Sequence, residues 1–215
     1  MILQKKKMIN LNKLKEEQEK LAKKVIIKDD FDKLELIAGV DQNFSGKNII
    51  SAIVVCDKDM KIVEKKYAIT KVKFPYVPGF LAYREGPVII EAFSKIENKP
   101  DVLMVDGNGI LHPSRIGLAS HIGILLDQCT IGVSKSFLLG VTKGDEIYVE
   151  NELRGMKIKL KEGSKPLFVS PGNKISLNTA VDIVKKSVRL PHKLPEPLHL
   201  AHRYADELRN NLNRG

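Results

Sequence analysis

The sequence predicts an α/β fold built on a mixed sheet, with an antiparallel three-strand meander in front and flanking helices. Three observations lead there. Segments 34–44, 49–57 and 61–70 are apolar or alternating and are joined by short links. "DVLMVD" (101–106) is a short, almost wholly apolar run of the kind found in buried parallel strands. Helical patterns follow it and alternate with further short strands, which gives an αβα rear.

The elements read in order. "LNKLKEEQEKLAKKVI" (11–26) places Leu11, Leu14, Gln18, Leu21, Ala22 and Val25 near helical spacing, so an amphipathic helix is expected. "LELIAGVDQNF" (34–44) is a strand ending near Asp41, and residues 57–61 turn the chain between the second and third strands. "FPYVPGF" (74–80) holds two prolines and a glycine and reads as a rigid loop. A helix is expected over 81–96, with an irregularity at Gly86–Pro87. Strand 101–106 leads to a helix over 114–127, with Ser114 as its cap, and to strand 130–136. Strands are expected at 152–161 and 166–170. A helix capped by Ser176 follows at 176–189, then an ordered turn at 191–197 and a terminal helix at 198–213. No repeat or long linker divides the chain, so a single domain over 1–215 is expected.

The chain carries 36 basic and 26 acidic residues, a net charge of +10. That favours a polyanionic partner, although solubility alone also explains it. Residues 1–28 and 157–189 are each net +6, and two such regions could flank one groove. Cys56 and Cys129 sit in apolar surroundings without metal-ligand spacing, so buried free thiols are expected. The lysine-bearing N-terminus lacks the apolar core of a signal peptide, and the apolar runs are too short to span a bilayer. A cytoplasmic location without membrane association follows, with a monomer as the default.

Asp41 follows "LIAGV", Asp106 follows "LMV", and Glu85 lies between them in "AYREGP". A carboxylate at a buried strand end is costly unless paired. Several brought together repel one another, and a divalent cation removes that penalty. Magnesium favours such oxygen ligands, and one or two ions there would polarise a phosphodiester and activate a water. The separations carry no local periodicity, so only the fold can make these acids converge. Capping at the surface explains many strand-end acids equally well.

Lys135 ends another short strand and can reach a phosphate, or is an ordinary surface lysine. Tyr76, stiffened between prolines, can stack on or wedge between bases, or pack against its own domain. His199 and His202 lie three apart on one side of the last helix, where a zinc site or a carboxylate partner is conceivable. No GxxxxGK loop, strand-linked GxGxxG or GxSxG elbow occurs, which argues against a P-loop ATPase, a dinucleotide fold and a serine hydrolase.

Taken together, "AGVDQNF" (38–44), "FPYVPGFLAYREGP" (74–87), "DVLMVDGNGILHPSRIGLASHIG" (101–123), "TIGVSKS" (130–136), "GSKPLFVSPG" (163–172) and "LPEPLHLAHRYADE" (195–207) resemble the endonuclease V family in content and order. The resemblance implies a ribonuclease H-like fold and a DNA-repair nuclease. Its expected substrate is DNA containing deoxyinosine, with inosine-containing RNA as the alternative. The expected cut is the second phosphodiester 3′ to the lesion, leaving 3′-hydroxyl and 5′-phosphate ends. Magnesium is the implied cofactor, for which manganese can substitute. By motif matching, Asp41, Glu85 and Asp106 are the implied metal ligands. Lys135 and His202 join them as catalytic residues. Tyr76, Pro78 and Gly79 fall in the wedge loop. Gly107, Asn108, Gly109, His112, Gly117 and His121 fall in the lesion pocket. Many members carry a histidine after "VSPG", where this chain has Asn173.

Two rivals remain at this level. Another metal nuclease of the same fold keeps the carboxylates without needing the Tyr76 loop. A non-catalytic nucleic-acid-binding module explains the charge but not the three acids.

Overall fold

β1 (Leu36–Ser45), β2 (Asn48–Asp57) and β3 (Ile62–Lys71) form the expected antiparallel meander. The computed structural model describes residues 9–160 and 163–214. The remaining elements are α1 (Leu11–Ala22), α2 (Leu81–Phe93), β4 (Val102–Asp106), α3 (Leu118–Leu125), β5 (Thr130–Ser134), β6 (Val141–Lys143), β7 (Glu146–Val149), β8 (Glu152–Ile158), β9 (Leu167–Asn173), α4 (Leu177–Lys186) and α5 (Glu196–Arg214). The strands make one mixed sheet in the order β3-β2-β1-β4-β5-β9-β8-β7-β6. Among the described residues, only β1–β4 and β4–β5 pair in parallel.

Alternation along the central strands builds two cores. Ala38, Val40, Leu103 and Val105 face α2 and α3, meeting Val88, Ile89, Ala119 and Ile122. Ile37, Val102, Met104, Ile131 and Val133 face the other way, onto Val181 and Val184 of α4 and Leu198 of α5. The sheet is therefore covered on both sides, as parallel pairing requires. Cys56 and Cys129 are free and buried. No helix among the described residues is long and apolar enough to cross a membrane.

Several boundaries differ from the sequence reading. β1 does not end near Asp41 but continues to Ser45, with Asp41 paired to Ala52. The acid is tolerated inside the strand because α5 supplies its partner. α1 stops at Ala22 rather than near residue 26. Lys24 and Val25 form tight turns onto Leu21 and Ala22, and the Ile26 N–H then goes to Asn173 Oδ1 at 3.1 Å. α3 begins at Leu118, capped by Gly117 rather than Ser114, because Arg115 takes a left-handed φ of 55°. α5 starts at Glu196, inside the expected turn, with Pro197 tolerated in its first turn. Ser176 caps α4 as expected. Helix α2 runs through Pro87.

The helices of the two basic segments lie on opposite faces of the sheet among the described residues. α1 lies against the α2–α3 side, through Tyr83 Oη donating to the Leu14 carbonyl, whereas α4 covers the opposite face. Residues 1–8 and 161–162, which carry part of that charge, lie outside the described residues.

Candidate active site

Ile37, Gly39, Asp41 and Asn43 project from β1 toward α5 by simple alternation. A Cβ on Gly39 would lie 2.3 Å from the Pro197 backbone, so only glycine admits the helix this closely. That approach sets His202 Nδ1 2.5 Å from Asp41 Oδ2. The other Asp41 oxygen, Oδ1, accepts the Gln42 N–H at 2.8 Å. One turn further along α5, Asp206 lies 3.6 Å from His202 Nε2 and accepts from Asn43 Nδ2 at 2.7 Å. His202 thus sits between two carboxylates.

The parallel register explains Asp106. Val40 pairs with Val105, so the next residue on each strand is an aspartate. Asp106 shares its face with Val102 and Met104, the α4–α5 side. Lys135 follows Ile131 and Val133 on the same face of the neighbouring strand, and its Nζ lies 2.6 Å from Asp106 Oδ2. Glu85 reaches the cluster from α2, in the opposite layer. It is 9% exposed and, among the described residues, has no hydrogen-bond partner.

The electrostatics show an acid excess. Burial, then the Asp106 charge, holds Asp41 above the usual carboxylate range against the opposing pull of His202 and Lys135. Burial, then Asp41 and Asp106, pushes Glu85 up to about 7. Burial works against a charged Lys135, but the Asp106 carboxylate outweighs it and the lysine is raised. Among the described residues, no three His, Cys, Asp or Glu side chains are gathered so as to hold an ion. Lys135 and His202 each occupy one carboxylate oxygen of Asp106 and Asp41 instead.

Beside the acids lies a cavity of about 660 Å³. Tyr76, Pro78 and Gly79 line one wall; Gly107, Asn108, His112 and Gly117 line another, and Asp106 belongs to the lining as well. Tyr76 is 70% exposed at its mouth. Asn108 Oδ1 is buried without a protein partner. Burial holds the His112 ring down at about 4, so it is neutral at physiological pH. Two of the anticipated pocket residues stand behind the wall. Gly109 packs under Pro171, where a Cβ would fall 1.9 Å from the carbonyl oxygen. His121, also held down at about 4 by burial, meets the Tyr83 ring edge-on at 5.2 Å.

A sequence profile for endonuclease V matches residues 19–203. The chain belongs to the endonuclease V family. Endonuclease V of Dictyoglomus turgidum is 44% identical over 203 residues, spanning 90% of this chain and 89% of its own. The endonuclease V structure from Bacillus subtilis superposes with a TM-score of 0.90 at 30% identity, covering 97% of this chain and 95% of its own. The Ciona intestinalis endonuclease V, solved with a 24mer DNA containing an inosine followed by a ribo-adenosine, gives 0.85 at 29% identity, covering 94% and 98%. This endonuclease V is an enzyme, a hydrolase with the ribonuclease H-like fold of its family.

Sequence reading overlooks three parts of this endonuclease V site. Asp206 has a signal, its i,i+4 spacing from His202. Arg84 braces the Tyr76 loop through Nη1 to the Phe74 carbonyl at 2.8 Å. Lys15 and Gln18 of α1 line the cavity. The His199–His202 pair does not form a joint site. His199 turns away and stacks on His192, with ring centroids 3.6 Å apart. Asn173 ties the chain after α1 to the Gly123 carbonyl, its Oδ1 accepting the Ile26 N–H at 3.1 Å and its Nδ2 donating at 3.2 Å.

Proposed function

We propose that this endonuclease V is a divalent-metal-dependent repair nuclease acting on inosine-containing nucleic acid. It cuts the second phosphodiester 3′ to the lesion and leaves 3′-hydroxyl and 5′-phosphate ends. The observation that carries this reading is the double membership of Asp106: its carboxylate pairs with Lys135 in the acid cluster, and the same residue lines the cavity. The cavity volume of about 660 Å³ suits a small organic ligand, and a base turned out of its stack is one. The inosine-containing DNA in complex with the Ciona relative supports inosine as that base.

The donor set fits a hard divalent cation. The Asp106 charge raises the proton affinity of Asp41, both aspartates raise that of Glu85, and Glu85 is buried with no hydrogen-bond partner among the described residues. Asp41, Glu85 and Asp106 would hold magnesium, with manganese as a substitute, once Lys135 yields its Asp106 oxygen. Bound there, the ion supplies Lewis-acid polarisation and a more acidic water.

The chain's own groups do the rest. His202 fixes the orientation of Asp41, and Asp206 faces its second nitrogen. Lys135 exchanges Asp106 for the phosphate and offsets charge as water attacks phosphorus in line and the bond to the 3′-oxygen breaks. Tyr76 fills the gap left in the stack. The glycine loop offers backbone groups and the open Asn108 Oδ1 to the base edge. Initial rates on inosine in single- and double-stranded DNA and RNA, in one magnesium buffer, test the reading. Preference for inosine strands over adenosine controls supports it, and equal cutting of both rejects it.

A further inference from the structure

Helix α1 is an anomaly in this fold. It is twelve residues long, and its only buried side chain is a polar one, Gln18 at 2% exposure. Leu11 is 40% exposed, so the helix is not docked by a continuous apolar stripe. Burying an amide is unfavourable unless it is hydrogen-bonded. The Gln18 bond is specific: Nε2 donates to the Gly79 carbonyl at 2.7 Å. Gly79 belongs to the loop that carries Tyr76 into the cavity mouth, and Gln18 itself lines that cavity.

The same loop residue is held from a second side. His112 Nδ1 accepts the Ser114 N–H at 3.2 Å, which leaves Nε2 to carry the ring proton. The ring makes its other hydrogen bond to the Gly79 backbone. Gly79 therefore joins three elements: α1, the loop of residues 74–80, and the glycine-rich loop after β4. No carboxylate of the acid cluster takes part.

We propose that Gln18 is a positioning residue that latches the Tyr76 loop against the base cavity, so that α1 sets how tightly the extruded base is selected. The proposal rests on the reading of this cavity as the inosine site. A loosened latch acts on substrate capture and discrimination, because Tyr76 and the cavity wall lose their fixed spacing. It leaves the chemistry at Asp41 and Asp106 largely in place.

The test is Gln18→Met, which keeps length and volume and removes the donor, with Gln18→Glu as a second variant that keeps the shape and loses the amide N–H. Two readouts are needed. Hydrogen exchange on the free protein should show faster exchange at the amides of residues 76, 77, 79 and 80 in both variants, with β4 and β5 unchanged. Steady-state cleavage of an inosine strand should show KM rising about tenfold with kcat falling less than threefold, the size expected for one lost buried hydrogen bond. Unchanged loop exchange overturns the latch, whatever the substrate proves to be. Faster exchange with unaltered KM and unaltered inosine-over-adenosine preference overturns its role in selection. If wild-type protein itself fails to prefer inosine, the functional reading falls, while the exchange result still decides the latch.

Discussion

His202 and Asp41 are 161 residues apart in sequence and 2.5 Å apart in space. Part of the charge balance at Asp41 depends on that meeting. It requires α5 to lie on β1, which Gly39 permits, and it places a ring with 43% side-chain exposure against a carboxylate with 9%. Because His202 is half open, truncating it should not unfold the protein. His202→Ala is expected to lower kcat by about ten- to a hundredfold, with a smaller change in KM, as loss of a ligand-orienting partner does. Asp41→Asn should go further, retaining inosine-strand binding while cleavage falls at least about a hundredfold. Near-normal turnover in Asp41→Asn would remove that residue from the mechanism.

Glu85 gives a pH signature. Its folded-state pKa is about 7, against 4.5 for the free side chain. A raised pKa means the folded state binds the proton more tightly. The stabilising effect of protonation is complete below pH 4.5, is lost as pH rises through 7, and leaves a buried charge above that. In EDTA, Glu85→Gln should therefore be more stable than wild type at pH 8, by on the order of 3 kcal/mol at about 1.4 kcal/mol per unit. The difference should vanish below pH 4.5. Magnesium should raise the wild-type melting temperature more than that of the variant. Melting curves that run parallel across this range would show that Glu85 is not in conflict with its acidic neighbours.

Tyr76 should matter for the substrate and not for the fold, since it is 70% exposed. Tyr76→Ala is expected to weaken inosine-strand binding by about tenfold or more, the worth of one base–aromatic stack, with no shift in melting temperature. Equal affinity of the two proteins in a filter-binding titration would reject the wedge.

Gly109 should behave in the opposite way. It lies outside the cavity lining, yet a Cβ there would meet the Pro171 oxygen at 1.9 Å. Gly109→Ala is expected to destabilise the protein by more than about 2 kcal/mol, because neither backbone segment can give way. A thermal melt within one degree of wild type would contradict this packing.

Much of this arrangement is legible in the sequence, for identifiable reasons. β1, β2 and β4 announce themselves through apolar runs that two-sided burial demands, and β3, an edge strand, through its alternation. Asp106 reads correctly as a strand end, but Asp41 does not, because its tolerance inside β1 depends on a helix some 150 residues later. The hairpin of β6 and β7 leaves little trace. Val141, Thr142 and Lys143 are all exposed, so no apolar alternation marks them, although Gly144–Asp145 is a fitting two-residue turn. In sequence, Gln18 belongs to an apolar stripe. Only the fold shows that it reaches past its own helix to Gly79. His199 and His202 share a helix side in sequence, and the stacking of His199 on His192 separates them.

The central claim is that one residue cluster both meets the selected base and cuts the strand nearby. The most direct test is single-turnover cleavage of an end-labelled strand with one inosine, beside an adenosine-matched strand, with magnesium and with EDTA, the product ends being mapped. The expected result is one magnesium-dependent cut at the second phosphodiester 3′ to inosine, with a 5′-phosphate on the downstream product and little cutting of the control. Cleavage of both strands at equal rates, or undiminished cleavage in EDTA, would contradict it.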